Sequence, residues 1–501
     1  MIRSQNWDHA KRTLFDAVLI GGGINGACLY HHLCRQGLKV LLVDKGDFAC
    51  GSSQSSGMMI WGGLLYLRNL DLFSVNRFSR ARDKMIKDHS QWVSPRLFRY
   101  LPAMRNGRNK YLVLSGLYLY WLFGHFQRKL PVTQDVFREE GLIKNNSIKG
   151  SLLYEEGCLK DSDSRFVLHW ITSHHSATHI PINYCSVEGG SFSAKEKIWY
   201  LNLKDTLSGE ETIAQTRMVI NCAGVWTDSI NQQFGIESPC KHVFSKGVYL
   251  GLKRPANHHL PMILEMGQHG DVLTYVPWGP VSMWGPTETT VKNIEQGYTA
   301  NKDDVSFLLD RANACLETGV NPADIISLRC GIRPLMVGAS FNKDCYPLNI
   351  SRRHKIVKDP HKQWISVYGG KITSCVPLAQ KVTAMVCGLK VGDCNPSKPL
   401  DKIADVMTST TYPTVPGKIP GVEWSMRHEY CLTLEDYLRR RTNIAQWVPR
   451  QGLGNNNEYL GQIKKIALKL HQHNEARAAT AVQHYQQSVN TRFDAVINEL
   501  R

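Results

Sequence analysis

A βαβ signature opens the chain and limits what it can fold into. The apolar run Ala17–Ile20 breaks at Gly21, Gly23 and Gly26 in the spacing G-x-G-x-x-G. A helical pattern follows, Gly37 ends it, and a second apolar run, Val40–Val43, closes on Asp44. The first glycine suits a tight turn out of a strand, the second lets backbone approach a pyrophosphate, and the third lets helix and strand pack closely. The helix start then offers free N–H groups and a positive dipole end to phosphates. Asp44 stands where a carboxylate takes ribose hydroxyls. An acid there disfavours a 2′-phosphate, so FAD or NAD is favoured over NADP. A lone glycine motif is weak evidence; strand, turn, helix, cap, strand and acid in order are strong evidence for a dinucleotide-binding α/β unit.

At 501 residues the chain predicts two or three domains, and 43% apolar content supplies their cores. Fourteen cysteines fall at irregular spacings without a C-x-x-C, so reduced thiols in a cytoplasmic protein are expected. No leader-like apolar core precedes the first strand, and no window reaches the roughly 18–20 apolar residues of a spanning helix. His174, His175 and His179 lack an acid or cysteine at zinc spacing and read as a solvated helix or loop, so no metal site is expected. The net charge of +17 is uneven: twelve Lys/Arg face two acids between Arg77 and Lys129. They flank the aromatic run Tyr111–Phe123, which suits either the surface of an anionic membrane or a buried core helix with a basic flank. No nucleic-acid recognition module accompanies the charge.

Along the chain, residues 70–150 read as mostly helical, with another helix within 158–179. Strands alternate over 182–220, with turns at Gly189-Gly190 and Ser208-Gly209. A second glycine-marked site, Asn221-Cys-Ala-Gly-Val-Trp226, ends a strand and precedes a helix. Residues 246–285 alternate as an antiparallel sheet with turns at Pro277 and Gly279, and a helix follows over 302–317. Two further sites are Ser327–Leu335 and Trp364–Thr373, the latter a strand, a Gly-Gly turn and a helix. Beyond about residue 400 the chain turns polar, basic and helical, with Arg439, Arg440 and Arg441 expected on a solvated or membrane-facing helix.

Ile20–Ala27, Gly62–Leu67, Asn221–Trp226, Gly331–Leu335 and Tyr368–Thr373, with Met426–Tyr430 and Leu438–Thr442 near the end, together resemble the FAD-dependent, membrane-associated aerobic glycerol-3-phosphate dehydrogenases within the D-amino-acid-oxidase-like superfamily. The resemblance implies a Rossmann-like α/β FAD-binding domain, an antiparallel-sheet substrate domain and a C-terminal helical cap. FAD-binding segments are expected at about 12–70, 150–230 and 325–395, substrate segments at 71–149 and 231–324, and the cap at 401–501. It further implies that Gly21, Gly23, Gly26 and Asp44 hold the ADP half, that Ser52 and Ser53 lie along the pyrophosphate and flavin, and that Ala223 and Gly224 form a second nucleotide crossing. Gly370, Lys371, Ile372 and Thr373 would bring a helix start to the reduced flavin. Arg333 and Arg352 would hold an anionic substrate, with Arg333 and Lys371 in catalytic roles and Tyr66 and Trp61 beside the substrate. The implied partners are a small-molecule substrate, membrane quinone and the inner membrane face.

One loop departs from the family pattern S-S-K-L-I-H-G-G-L-R-Y-L, reading Ser56-Gly-Met-Met-Ile-Trp-Gly-Gly-Leu-Leu-Tyr-Leu67. Met58, Trp61 and Leu65 replace Lys, His and Arg; Lys246–Tyr249 loses a second His, and G-T-T-D reads Gly285-Pro-Thr-Glu288. Each lost charged hydrogen bond is worth roughly 1.5–3 kcal/mol, and oxidation of an alcohol requires a base for its proton. The expectation is an intact flavin machinery with a changed substrate: a polyol phosphate, hydroxy or amino compound. The alternative is a flavin-binding protein that has lost activity and serves a structural or partner-binding role.

Overall fold

In the computed structural model every residue is described except 1, 126, 135–140, 175, 267–271, 342–346, 348–349, 351, 392–406 and 501. The expected cap boundary near residue 400 and His175 therefore lie outside the described residues.

The opening signature folds as read. Strand β1 (Ala17–Ile20), helix α1 (Ile24–Arg35) and strand β2 (Val40–Val43) form the centre of a six-stranded sheet. Its order is Lys355–Asp359, Trp364–Tyr368, Val219–Asn221, β1, β2, His179–Ile182, parallel except for the first pair. All four residues of β1 and of β2 are buried, as central parallel strands require. Helix α1 packs between Asp163–Thr172 and Cys375–Cys387. A four-stranded sheet (Leu14–Phe15, Glu211–Thr216, Ile198–Asp205, Cys185–Ser193) lies beside this unit.

The second large layer is a ten-stranded, mainly antiparallel sheet. Its long members, Cys240–Lys253 and Ile325–Gly338, pair along nearly their whole length, and helix Lys302–Cys315 lies against it. That helix begins with a reciprocal cap: Asn301 and Asp304 each accept the other's backbone N–H, at 3.0 and 3.1 Å. The sheet's other side shares one apolar core with the C-terminal helices, Leu250 and Trp284 packing in the same cluster as Tyr437, Leu438 and Val489.

Four expectations are corrected. Residues 70–150 are not all helical: between helices Leu72–Asp88 and Lys110–Phe123 runs strand Val93–Leu101, paired with Leu152–Leu159 and Met262–Glu265. Its partners are too distant in sequence for local pattern to reveal. Gly189 and Gly190 make no turn but lie in strand Cys185–Ser193 beside a register shift, where a Cβ on Gly190 would be 2.5 Å from the Tyr200 carbonyl oxygen. Pro277 continues strand Val272–Trp278, opposite Ser282, and the reversal falls at Gly279. Finally, Arg440 and Arg441 are buried. Both bond Asp47, which also takes a hydrogen bond from Asn183, and Arg440 reaches Asp436 at 2.7 Å. The two guanidiniums outweigh the burial penalty and hold the Asp47 carboxyl down at about 2. This cluster fastens the C-terminal helices to the loop after β2.

A nest of histidines surrounds Trp170. His31, His89 and His169 contact its ring, His32 lies beside it, and His174 Nε2 is 3.0 Å from His31 Nδ1. Burial lowers His31 strongly, His32 and His89 to about 4 and His169 to about 3. These groups stay neutral in the folded state while the unfolded chain takes up protons below about 6.5. Stability is therefore full above that pH and falls as pH drops toward 4, by on the order of 1.4 kcal/mol per pH unit for each histidine. Thermal unfolding followed from pH 7.5 to pH 5 should show a steep loss of Tm, and His31→Phe with His174→Leu should flatten it.

Candidate active site

The glycine turn is built by contact. Gly21 adopts φ +106°, and a Cβ on it would lie 2.6 Å from the Cys222 carbonyl oxygen. A Cβ on Gly26 would lie 1.9 Å from the Gly21 carbonyl oxygen, so α1 approaches the turn as only glycine permits. Gly23 faces the Ser53 hydroxyl, 3.1 Å from where a Cβ would be. Asp44 accepts the Gly22 N–H at 2.7 Å through one oxygen and the Gly46 N–H at 3.0 Å through the other. Burial raises its carboxyl to about 6, the two N–H groups opposing the rise. Gly22, outside the motif spacing, is a residue the sequence reading missed; a Cβ there would strike the Phe48 ring at 2.5 Å. Ala223 and Gly224 follow strand Val219–Asn221 against Gly21, held by Asn221, whose carbonyl takes the Ala223 N–H and whose amide bonds Thr227 and Asn231.

From this turn a cavity of about 1600 Å³ opens between the two large sheets. Ile24 at the start of α1, Ser52, Ser53 and the stretch Gly370–Thr373 line it. Ser53 accepts the Ile24 N–H at 2.9 Å, and Ser52 donates to the Ile332 carbonyl. Lys371 lies 4.5 Å above the Tyr66 ring and 4.9 Å above Phe78, which stack on each other. Burial, then the charge of Arg352, lowers Lys371 to about 7.

Arg333 and Arg352 meet on the cavity wall through Glu288. Its Oε2 is 3.1 Å from Arg333 Nη1 and 3.0 Å from Arg352 Nη2, and the Ser245 hydroxyl donates to Oε1. The carboxyl is held below its ordinary value against the pull of burial by these two cations. Glu288 and Ser245 escaped the sequence reading as a brace, because nothing in their spacing joins them to Arg333. Two guanidiniums on one carboxylate leave one positive charge facing the cavity. Trp61 and Tyr66 line the same space, and among the described residues the buried Tyr66 hydroxyl has no close hydrogen-bond partner, the Arg352 backbone being a polar neighbour. Met58 does not line it: with φ +63° it is buried in the core, so its replacement of a lysine removes a charge without reshaping the wall. The side chain of Leu65 lies outside the described residues. Among the described residues lining the cavity there is no histidine.

Helix Lys110–Phe123 is not a buried core helix. Only Leu117 and Tyr120 are buried, while Tyr111 and Leu112 are about two-thirds exposed, as is Phe73 on helix Leu72–Asp88, which packs against it. Among the described residues no helix is long and apolar enough to cross a membrane.

The FAD dependent oxidoreductase family matches residues 16–351. The chain belongs to that family. It is 26% identical over 408 residues to the aerobic glycerol-3-phosphate dehydrogenase of Staphylococcus aureus, covering 77% of this chain and 72% of that protein. It is equally identical over 384 residues to the glycerol-3-phosphate dehydrogenase of Mycobacterium leprae, of whose length it spans 63%. The glycerol-3-phosphate dehydrogenase from Bacillus halodurans, solved with FAD, shares the fold at TM-score 0.70 and 17% identity, over 99% of both chains. This protein is thus an FAD-dependent oxidoreductase resembling the glycerol-3-phosphate dehydrogenases. Its own geometry fits the cofactor: close backbone approaches at Gly21 and Gly26, which bring the start of α1 and the Cys222–Ala223 crossing together at the cavity's edge, and a buried Asn25 side-chain carbonyl beside Gly370 without a partner among the described residues. Gly26→Ala should abolish FAD retention, read as the flavin-to-protein absorbance ratio after purification.

Proposed function

We propose that this FAD-dependent oxidoreductase oxidises a small anionic compound, a polyol phosphate or a hydroxy or amino acid-like molecule, and delivers the electrons to quinone. The observation that carries the reading is the Arg333–Glu288–Arg352 brace, which lines the same cavity as Lys371. The unneutralised guanidinium charge suits a phosphate or carboxylate, which a planar fork binds with paired hydrogen bonds. Trp61 and Tyr66 shape the wall beside it. Bound FAD supplies the acceptor for a hydride from the substrate C–H. By sequence correspondence Gly21, Gly23, Gly26, Asp44, Ser52, Ser53, Ala223, Gly224, Gly370, Ile372 and Thr373 hold it. With no histidine on the described wall, Lys371 is the candidate to take the substrate's hydroxyl or ammonium proton, which it does in its neutral form. Because that form is gained as pH rises through about 7, reduction should quicken from pH 6 to pH 8.

Anaerobic bleaching of the flavin tests the reading. Glycerol 3-phosphate and a panel of hydroxy and amino acids are offered in turn, and at least one should bleach the yellow protein. Arg352→Gln should weaken that compound by roughly 10–100-fold, the loss of one charged hydrogen bond. Flavin that no compound bleaches would favour the inactive flavin-binding alternative.

The exposed apolar face of Lys110–Phe123, set in a basic region, supports a peripheral contact with an anionic bilayer, where quinone resides. Co-sedimentation with phosphatidylglycerol vesicles should be strong and should fall sharply in Tyr111→Glu with Leu112→Glu, while phosphatidylcholine vesicles should bind weakly.

A further inference from the structure

A second, smaller cavity of about 80 Å³ lies where the C-terminal helices meet the segment 52–56. It is separate from the large cavity yet shares its walls: Gln54 and Cys330 line the small one, while their neighbours Ser53, Ser55 and Gly331 line the large one. The volume equals that of about two to three waters at ~30 Å³ each, enough for a small polyatomic ion.

Its charge pattern is unusual. Arg329 is paired with Asp163 at 2.8 Å. Arg440 and Arg441 take Asp47, and Arg440 also takes Asp436. Arg492 lies 3.6 Å from Glu435, which lines the cavity and is shared with Arg440 at 3.4 Å. Arg439 is what remains. Among the described residues it has no carboxylate within 4 Å, and its one acceptor is the Gln54 carbonyl at 3.2 Å. A guanidinium carries five N–H donors, so most of its capacity is unspent. Burial, and then the neighbouring Arg329, lowers Arg439 to about 9, against a weaker opposing pull from the Asp163 and Glu435 carboxylates. Tyr298 also lines the cavity, and among the described residues its buried hydroxyl has no close hydrogen-bond partner, the Ser52 side chain being a polar neighbour.

We propose that this seam cavity binds a small tetrahedral oxyanion of the phosphate or sulfate class, with Arg439 as its principal ligand and Arg492 and the Tyr298 hydroxyl as the others. A fork of guanidinium donors matches two oxygens of such an ion, and the hydroxyl can donate to a third. The Glu435 carboxylate does not oppose it decisively, since Arg440 and Arg492 already engage it. The ion would tie the C-terminal helices to segment 52–56 and so stabilise the flavin-loaded protein.

The test uses FAD-loaded protein carrying Arg352→Gln, which weakens anion binding in the large cavity. Inorganic phosphate, and separately sulfate, is titrated at constant ionic strength with chloride as control, and Tm and calorimetric heat are recorded. Expected is a saturable Tm rise with phosphate or sulfate and none with chloride. Adding Arg439→Gln should weaken the affinity at least about tenfold, while Arg439→Lys, which retains the charge, should keep part of it. Retained flavin absorbance shows each variant to be folded. No saturable shift up to about 10 mM, or a shift that Arg439→Gln leaves unchanged, would overturn the proposal. A saturable phosphate or sulfate shift without the Arg352→Gln background, but none with it, would assign the ion to the large cavity and overturn the proposal equally.

Discussion

The contact between the Gly26 position and the Gly21 carbonyl governs the molecule. Because no side chain stands there, helix α1 closes on the end of strand β1, and its first N–H groups point to one place. The same absence at Gly21 lets the chain crossing at Cys222–Ala223 come within touching distance, so two strand ends and one helix start converge. Asp44 then stitches Gly22 and Gly46 to the end of β2 through its two oxygens. The dinucleotide-binding geometry is a consequence of backbone proximity, and the large cavity begins at that convergence.

A second constraint decides how the far end of the chain is placed. Asp47, only three residues beyond Asp44, is buried under two consecutive arginines from the C-terminal region. Burying three charges is costly, and removing one partner from such a cluster typically costs about 3–5 kcal/mol. The arrangement therefore links two remote parts of the chain at the rim of the nucleotide loop. It also leaves Arg439, next in the row, facing away from those acids and toward the small seam cavity.

The wall of the large cavity follows a related logic of unequal pairing. Glu288 braces Arg333 and Arg352 without neutralising both, so a rigid, partly desolvated positive charge faces the cavity. Lys371, set over the Tyr66 and Phe78 rings, is held there by aromatic faces instead of a carboxylate. A lysine in that setting gives up its proton near neutrality, whereas one paired with an acid would not.

Local pattern was enough for β1, α1 and β2, for the capped helix Lys302–Cys315, and for the family resemblance spread over Gly62–Leu67, Asn221–Trp226 and Tyr368–Thr373. Those features are written in contiguous residues: glycine spacing, apolar runs, helix caps. What the sequence did not disclose depended on partners far along the chain. Strand Val93–Leu101 needs Leu152–Leu159 and Met262–Glu265 to be a strand at all. The burial of Arg440 and Arg441 needs Asp47, almost four hundred residues away. Met58 reads as a change in the substrate wall, but the positive φ of its backbone turns its side chain into the core. By itself the sequence determined the nucleotide turn and the family, because a turn is made by its own residues. Only the tertiary structure decided which charges are neutralised, since pairing and desolvation are properties of what is brought alongside.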